Sequence, residues 1–259
     1  MPTLIDSHVH LDDQAFAHDR TAVIARARDA GIDGMIVPGV DFDSWPRIKA
    51  LCASHRHVHA CYGLHPMFLA RHTPAHLQAL PAWLDDERPV AVGEIGLDFH
   101  MPDLDRERQR FYFSQQLQLA CERDLPVIVH ARDALEEVSL ALRRCSGLRG
   151  VVHSFSGSEQ QAMQLWNAGF HLGIGGPITH ERARRLRRIV ASMPIEFLLL
   201  ESDAPDQPGA THRGQRNEPA YIIEVLQCIA RLRGEAEADV AAATRANACR
   251  LFGLEQSGH

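Results

Sequence analysis

At 259 residues, 45% of them apolar and 23% charged, the chain has the balance of a soluble globular protein and can bury a full core without staples. Its net charge of −6 excludes a protein that holds nucleic acid through a generally basic surface, so any phosphate-bearing substrate must be held locally. Lys49 is the only lysine, which leaves one candidate for Schiff-base chemistry or for a carboxylated lysine between two metals.

Short apolar or β-branched runs alternate with longer amphipathic stretches, the pattern of repeated β/α units. In chain order the expected strands are Leu4–His8, Gly34–Val37, His59–Tyr62, Val90–Gly93, Val127–Val129, Gly150–Val152, His171–Ile174 and Phe197–Leu200. Helices are expected after them, for example over Arg20–Ala30, Asp105–Arg123 and Ala134–Arg144, with a further one near Ala236–Phe252. Composition shows no linker or break. The prediction is an α/β fold, one (β/α)8 TIM-type barrel domain over 1–259 with an additional C-terminal helix. An open doubly wound sheet fits less well. Gly173-Ile-Gly175-Gly176 lacks the last glycine of a dinucleotide loop, and no GxxxxGK[ST] or GxSxG occurs.

In such a barrel the chemistry sits where strands end and βα loops begin. Those positions read His8-Val9-His10, His65-Pro66, Glu94, His130, His153 and Asp203. His8 and His10, two apart in an extended segment, leave the same face and can close on one metal. That pair is a weak signal alone, because His55, His57 and His59 repeat the spacing. This second cluster precedes the third strand, so it is expected at the opposite mouth, in a structural role. Glu94 is read as ending strand four, where a buried carboxylate is costly unless it is paired or binds metal. Its two oxygens suit a bridge between two cations. His130 and His153 each follow an apolar triplet in the same register. Asp203, in Leu198-Leu-Leu-Glu-Ser-Asp203, can bind metal and accept a proton from an attacking water. Glu201 lies two positions earlier on the same face, and spacing does not separate the two.

Four histidines and two or three acids exceed one tetrahedral site. With no thiolate among them they suit two divalent ions, zinc, manganese or magnesium, sharing a carboxylate. Two such cations lower the pKa of a water between them and clamp a phosphoryl group. Glu181-Arg-Ala-Arg-Arg-Leu-Arg-Arg188 has a helical period and reads as a solvated helix face, with Arg185 and Arg188 outside the site. Trp45, Trp83 and Trp166 fall in expected helices and read as packing residues. The six cysteines show no CxxC pair, which suits a reducing compartment. No signal peptide or membrane span is read from the sequence, so a cytoplasmic monomer without an obligate protein partner is expected.

Several segments together resemble the TatD family of metal-dependent hydrolases and deoxyribonucleases. They are Asp6-Ser-His-Val-His-Leu-Asp12, Gly63-Leu-His-Pro66, Val92-Gly-Glu-Ile-Gly-Leu-Asp98 and Pro126-Val-Ile-Val-His-Ala-Arg-Asp133. Val152-His-Ser-Phe-Ser-Gly157, Leu199-Leu-Glu-Ser-Asp-Ala-Pro205, Arg216-Asn-Glu-Pro219 and Asn247-Ala-Cys-Arg-Leu-Phe252 continue the series. The resemblance implies a two-metal site: His8, His10 and Asp203 at one ion, His130 and His153 at the other, and Glu94 between them. It further implies that His65 and Arg132 hold the substrate phosphate, and that Asp203 orients or deprotonates the attacking water. The chain has Glu-Ser-Asp where Glu-Thr-Asp is frequent, and Val9 where cysteine is common; neither removes a ligand. Residues 206–216, where relatives differ, bear on substrate choice.

The expected activity is hydrolysis of phosphoester bonds at DNA or RNA ends or in a small phosphoester. A barrel hydrolase of a carboxylic ester or C–N bond is the alternative, and a binding protein that has lost catalysis is a third reading.

Overall fold

The computed structural model describes residues 3–254. Eight strands alternate with helices: β1 (Leu4–Asp6), β2 (Ile32–Pro38), β3 (Val58–Tyr62), β4 (Ala91–Asp98), β5 (Val127–Arg132), β6 (Gly150–Val152), β7 (Phe170–Ile174) and β8 (Leu198–Leu200). The helices are α1 (Arg20–Asp29), α2 (Ser44–Ser54), α3 (Pro74–Glu87), α4 (Arg106–Glu122), α5 (Leu135–Arg144), α6 (Glu159–Asn167), α7 (Arg184–Ser192), α8 (Ile222–Arg233) and α9 (Glu237–Phe252).

The strands pair in chain order, all parallel, in one eight-stranded sheet. Backbone bonds close the seam between the first and last strands: Ser7 N–H to Leu200 O at 2.9 Å, Asp203 N–H to His8 O at 2.9 Å and His10 N–H to Ala204 O at 2.8 Å. The result is a nearly closed (β/α)8 barrel of the TIM type, the predicted fold. Parallel strands covered on both faces read as apolar runs, which is why the sequence shows them.

Ile5, Ile36, Cys61, Ala91, Ile128, Val151 and Leu199 form one apolar cluster, and the end of α9 (Ala248, Cys249, Leu251 and Phe252) packs against it. Side chains two apart on a strand share a face. Two residues beyond Ile128, Val151 and Leu199 come His130, His153 and Glu201. The barrel interior therefore passes from aliphatic to titratable groups within one repeat of the pleat. Gly63, just after β3, and Gly93 and Gly173, on β4 and β7, occupy the matching positions, so no side chain there fills the space. At Gly173 the room is required, because a Cβ there would overlap Glu201 Oε2.

One expectation about position is corrected. Strand four does not stop at Gly93 but runs on to Asp98, with an irregular register between Val92 and Ile95. Glu94 therefore lies inside a strand rather than after its end. The physical reason is local: Gly93, Glu94 and Gly96 interrupt the apolar run from which a strand is read. Gly96 has φ 144°, and a Cβ there would overlap the carbonyl of His130, so only glycine allows β4 and β5 to approach at this point.

The tryptophans pack as predicted. Trp45 is buried against Phe42, Tyr62 and Trp83, and Trp166 lies half-buried against the core.

Candidate metal centre

At the C-terminal mouth five imidazoles surround one carboxylate. Glu94 is 1% exposed. Its Oε2 stands 3.3 Å from His8 Nε2 and 3.6 Å from His10 Nε2. Its Oε1 stands 2.9 Å from His65 Nε2, 3.3 Å from His130 Nδ1 and 2.7 Å from His153 Nε2. Each carboxylate oxygen thus faces a separate group of ring nitrogens.

Asp203 completes the first group, with Oδ1 3.6 Å from both His8 Nε2 and His10 Nε2. The two Nε2 atoms stand 3.2 Å apart. Donors about 2.1 Å from a tetrahedral cation stand roughly 3.4 Å from one another, so these atoms are spaced as such a shell would be. The second group has the same scale, with His130 Nδ1 and His153 Nε2 3.3 Å apart. Ring nitrogens that face each other in this way cannot all carry protons, and a cation between them satisfies their lone pairs. Imidazole and carboxylate donors without thiolate suit zinc or a harder divalent ion. The residues present fit the implied metals.

The surroundings hold these donors in place. His130 Nε2 lies 2.9 Å from Asp98 Oδ2, which fixes the ring so that Nδ1 faces Glu94. Asp98 is itself clamped, its backbone N–H donating to Gln109 Oε1 at 2.8 Å and its carbonyl accepting from Gln109 Nε2 at 2.8 Å. Asp6, fully buried, ties the barrel seam: Oδ1 accepts from Ser202 N at 2.9 Å and His8 N at 3.2 Å, while Oδ2 accepts from Ser202 Oγ at 2.5 Å. Burial pushes its carboxyl up to about 7. One side chain thereby sets the backbone of the segments that carry His8 and Asp203. Asp203 sits at φ 54°, a left-handed conformation that is uncommon outside glycine, and Gln207 Nε2 donates to its Oδ2 at 2.5 Å.

Charge follows from this geometry. Burial would raise the Glu94 carboxyl, but the imidazoles of His65, His153, His8 and His130 outweigh it and hold the group well below its usual range. Burial first, and then the neighbouring His153, hold His8 well below the ordinary histidine value. Burial likewise lowers His65 to about 4. His153 moves the other way, to about 10, because the attraction of Glu94 exceeds the penalty of burial.

Most residues expected at the site are brought together here. Arg132 lines the same cleft from the exposed end of β5 without joining the donor cluster. His65, expected to hold substrate, is buried with Nε2 among the candidate ligands around Glu94 Oε1. Glu201 is separated from Asp203 by access. Asp203 opens on the cleft, whereas Glu201 is fully buried below it, accepting from Ser154 N at 2.6 Å. His8, His153 and Glu201 nevertheless form a further group of potential ligands. Lys49 pairs with Glu87 at 2.5 Å on the surface between α2 and α3, which removes the only lysine from the centre.

Three supporting residues escaped the sequence reading. Asp98 was hidden by ending strand four too early; once the strand continues, Asp98 falls on the face of Gly96, which pairs with His130. Asp6 lies in a quoted motif, but its partner Ser202 is 196 positions away. Gln207 belongs to the loop after Asp203 and carries no pattern. The basic run is corrected in part. Arg187 and Arg188 turn to Ile178 O and Glu159, but Arg182, Arg184 and Arg185 line the cleft. A helical period identifies faces without telling which loop stands opposite.

An eight-stranded barrel with imidazoles and carboxylates converging at its C-terminal mouth defines the class of metal-dependent barrel hydrolases. The model of the "TatD related DNase" family matches residues 5–253, and the chain belongs to that family. It is 40% identical over 254 residues to the metal-dependent hydrolase YjjV of Escherichia coli K12, covering 96% of this chain and 98% of that protein. It is 36% identical over 258 residues to the 3'-5' ssDNA/RNA exonuclease TatD of Salmonella typhimurium, covering 96% and 98%. The crystal structure of YjjV superposes with a TM-score of 0.93 at 38% identity, over 97% of this chain and 98% of that one.

Proposed function

We propose that the chain acts as a single catalytic domain, a divalent-metal-dependent phosphodiesterase that removes nucleotides from the ends of single-stranded DNA or RNA. One observation carries the two-metal form of this reading: the two oxygens of Glu94 face two separate donor groups. His8, His10 and Asp203 would hold one cation and His130 and His153 the other, with Glu94 between them and His65 beside the second. Bound there, divalent ions would lower the pKa of a water and offset charge on phosphoryl oxygens.

The rest of the chemistry falls to the protein. Arg132 approaches a non-bridging phosphate oxygen from the open side of the cleft and holds it by charge-assisted hydrogen bonds. Asp203 takes the proton of the attacking water at Oδ2, the oxygen that Gln207 orients. Asp98 keeps His130 in one tautomer through the reaction. Asp6 and Ser202 keep the two halves of the first donor group in register. The names of the relatives support nuclease action, and the lack of a lysine at the centre sets the chain apart from lysine-bridged barrels.

Six unpaired cysteines support a cytoplasmic location, and the absence of any membrane-length apolar helix among the described residues accords with it. We assign the working unit as a monomer, since the whole donor set comes from one chain.

The test is turnover of bis-p-nitrophenyl phosphate and of an end-labelled single strand, with and without Mn2+ or Zn2+. Metal-dependent cleavage of both is expected, with mononucleotides released from the strand. Cleavage of neither by protein carrying its full metal complement would refute the reading. Hydrolysis confined to a carboxylic ester or amide would transfer the site to the other hydrolase class.

A further inference from the structure

Six arginines line the cleft above the donor cluster, and they divide by their partners. Arg47 pairs with Asp12 at 3.2 Å and Arg71 with Asp41 at 2.8 Å. Arg132, Arg182, Arg184 and Arg185 have no carboxylate within 4 Å among the described residues. Arg185 donates to Ser156 O at 2.8 Å, which steadies its stem across the floor between β6 and α7. Arg182, Arg184 and Arg185 come from one short segment at the start of α7, and all three are exposed. Three like charges this close repel one another, and an acidic protein has placed them on the wall of its reaction cleft.

The opposite wall is different in kind. Met67 and Phe68, in the loop after β3, line the cleft, and Met67 is 42% exposed. The Arg71 guanidinium lies 4.9 Å from the Phe68 ring centre. The cleft therefore has unpaired arginines on one side and, on the other, Met67 and Phe68 beside the ion-paired Arg71, with the donor cluster at its base. Its volume, about 1140 Å³, exceeds what a small phosphoester fills. A single strand of nucleic acid has this same two-sided chemistry: a phosphate backbone along one edge and stacking faces along the other.

We propose that Arg182, Arg184 and Arg185 form a phosphate track that holds the nucleotides flanking the scissile bond of a single strand, with Met67 and Phe68 as the surface for their bases. This inference rests on the phosphodiesterase reading and extends it. The donor cluster acts on one phosphate, and the arginine track makes the enzyme prefer a polymer to an isolated ester. It also answers the question raised by the net charge: the positive field a polyanion needs is concentrated on one wall.

The first measurement is fluorescence anisotropy of a labelled phosphorothioate dT10, which resists hydrolysis, on the full chain loaded with Mn2+. Arg182→Gln/Arg184→Gln removes two exposed side chains without partners, so folding is kept. This variant should bind dT10 at least fivefold more weakly than the wild type. The slope of log Kd against log salt should fall by about 1.4, at roughly 0.7 per phosphate contact on a single strand. Arg188→Gln, whose side chain faces Glu159, is the control and should bind as the wild type does.

The second measurement is the ratio of kcat/KM for a dT2 to dT10 series to that for bis-p-nitrophenyl phosphate. The ratio should rise with length in the wild type, and the rise should flatten in the double variant and in Arg182→Gln/Arg184→Gln/Arg185→Gln. Equal affinity and salt slope in wild type and variant would overturn the track, as would tighter binding of a duplex than of the single strand. Failure of the wild type to cleave either substrate would instead strike the phosphodiesterase reading, while the anisotropy result still decides the track.

Discussion

The two mouths of this barrel both carry histidines, and they use them in opposite ways. At the N-terminal mouth His55, His57 and His59 crowd one short segment, yet their rings do not converge: His57 Nδ1 stands 3.6 Å from Asp33 Oδ1, and His59 lies half-buried in β3. There the end of α9 packs Ala248, Cys249, Leu251 and Phe252 onto the apolar layer of the barrel. At the C-terminal mouth His8, His10, His65, His130 and His153 come from four different strand ends. All five have a ring nitrogen within 3.6 Å of Glu94. Closeness in sequence is therefore a poor guide to a metal site. What gathers the rings is a shared position along separate strands around a carboxylate that the fold buries.

The largest expected effect of breaking this contrast is at Glu94. Glu94→Ala should reduce turnover to background and lower metal content, read by elemental analysis, because both donor groups lose the carboxylate they share. His57→Ala at the other mouth should change neither. Asp203→Asn should cut kcat by about 10²–10⁴-fold, the usual worth of a general base, while most of the metal stays. Full activity in that variant would move the proton-accepting role to Glu201.

The apolar mouth should respond in stability instead. Phe252 is 4% exposed, and Phe252→Ala should cost about 3–5 kcal/mol in a denaturant titration while kcat per folded molecule is kept. A variant equally stable but inactive would show that the two mouths are coupled. Asp98→Asn is gentler, because it loosens His130 without removing a ligand. A loss of about 10–100-fold in metal affinity or activity is expected.

The fold was legible because strands covered on both faces read as apolar runs, and all eight appear near their expected positions. The candidate ligands were legible because each follows such a run. Where glycines break the run the reading failed: strand four was cut at Gly93, so Glu94 was placed at a strand end and Asp98 was not seen. Contacts across the barrel seam, such as Asp6 with Ser202, join distant positions that no periodicity links. The basic segment shows the same limit. Its spacing predicts a helix but not that Arg182, Arg184 and Arg185 face the cleft, which depends on how the loops after β3 and β7 stand opposite each other.

The motif Arg216-Asn-Glu-Pro219 offers the smallest test. Arg216 pairs with Asp19 and Glu218, and Arg26 with Glu218, so the loop after Asp203 is tied to α1. Asn217 Nδ2 donates to Ser202 O and Asp206 O at 2.7 and 2.8 Å, which carries that anchor to the site. Burial would raise Glu218, but hydrogen bonds from Arg26 and Arg216 outweigh it and hold the group below its ordinary 4.5. A lowered folded value means that the contribution to stability is present above 4.5 and is lost as pH falls through the folded value. The Tm gap between wild type and Glu218→Gln should thus be open at pH 7 and close in acid. A gap independent of pH would show that packing, not charge, holds the loop.

The central claim is that one carboxylate serves two cations, and anomalous diffraction from crystals grown with zinc or manganese tests it most directly. Two separate peaks are expected, one among His8, His10 and Asp203 and the other among His130 and His153, with Glu94 contacting both. A single peak, or two peaks of which one lies beyond the reach of Glu94, would contradict the account.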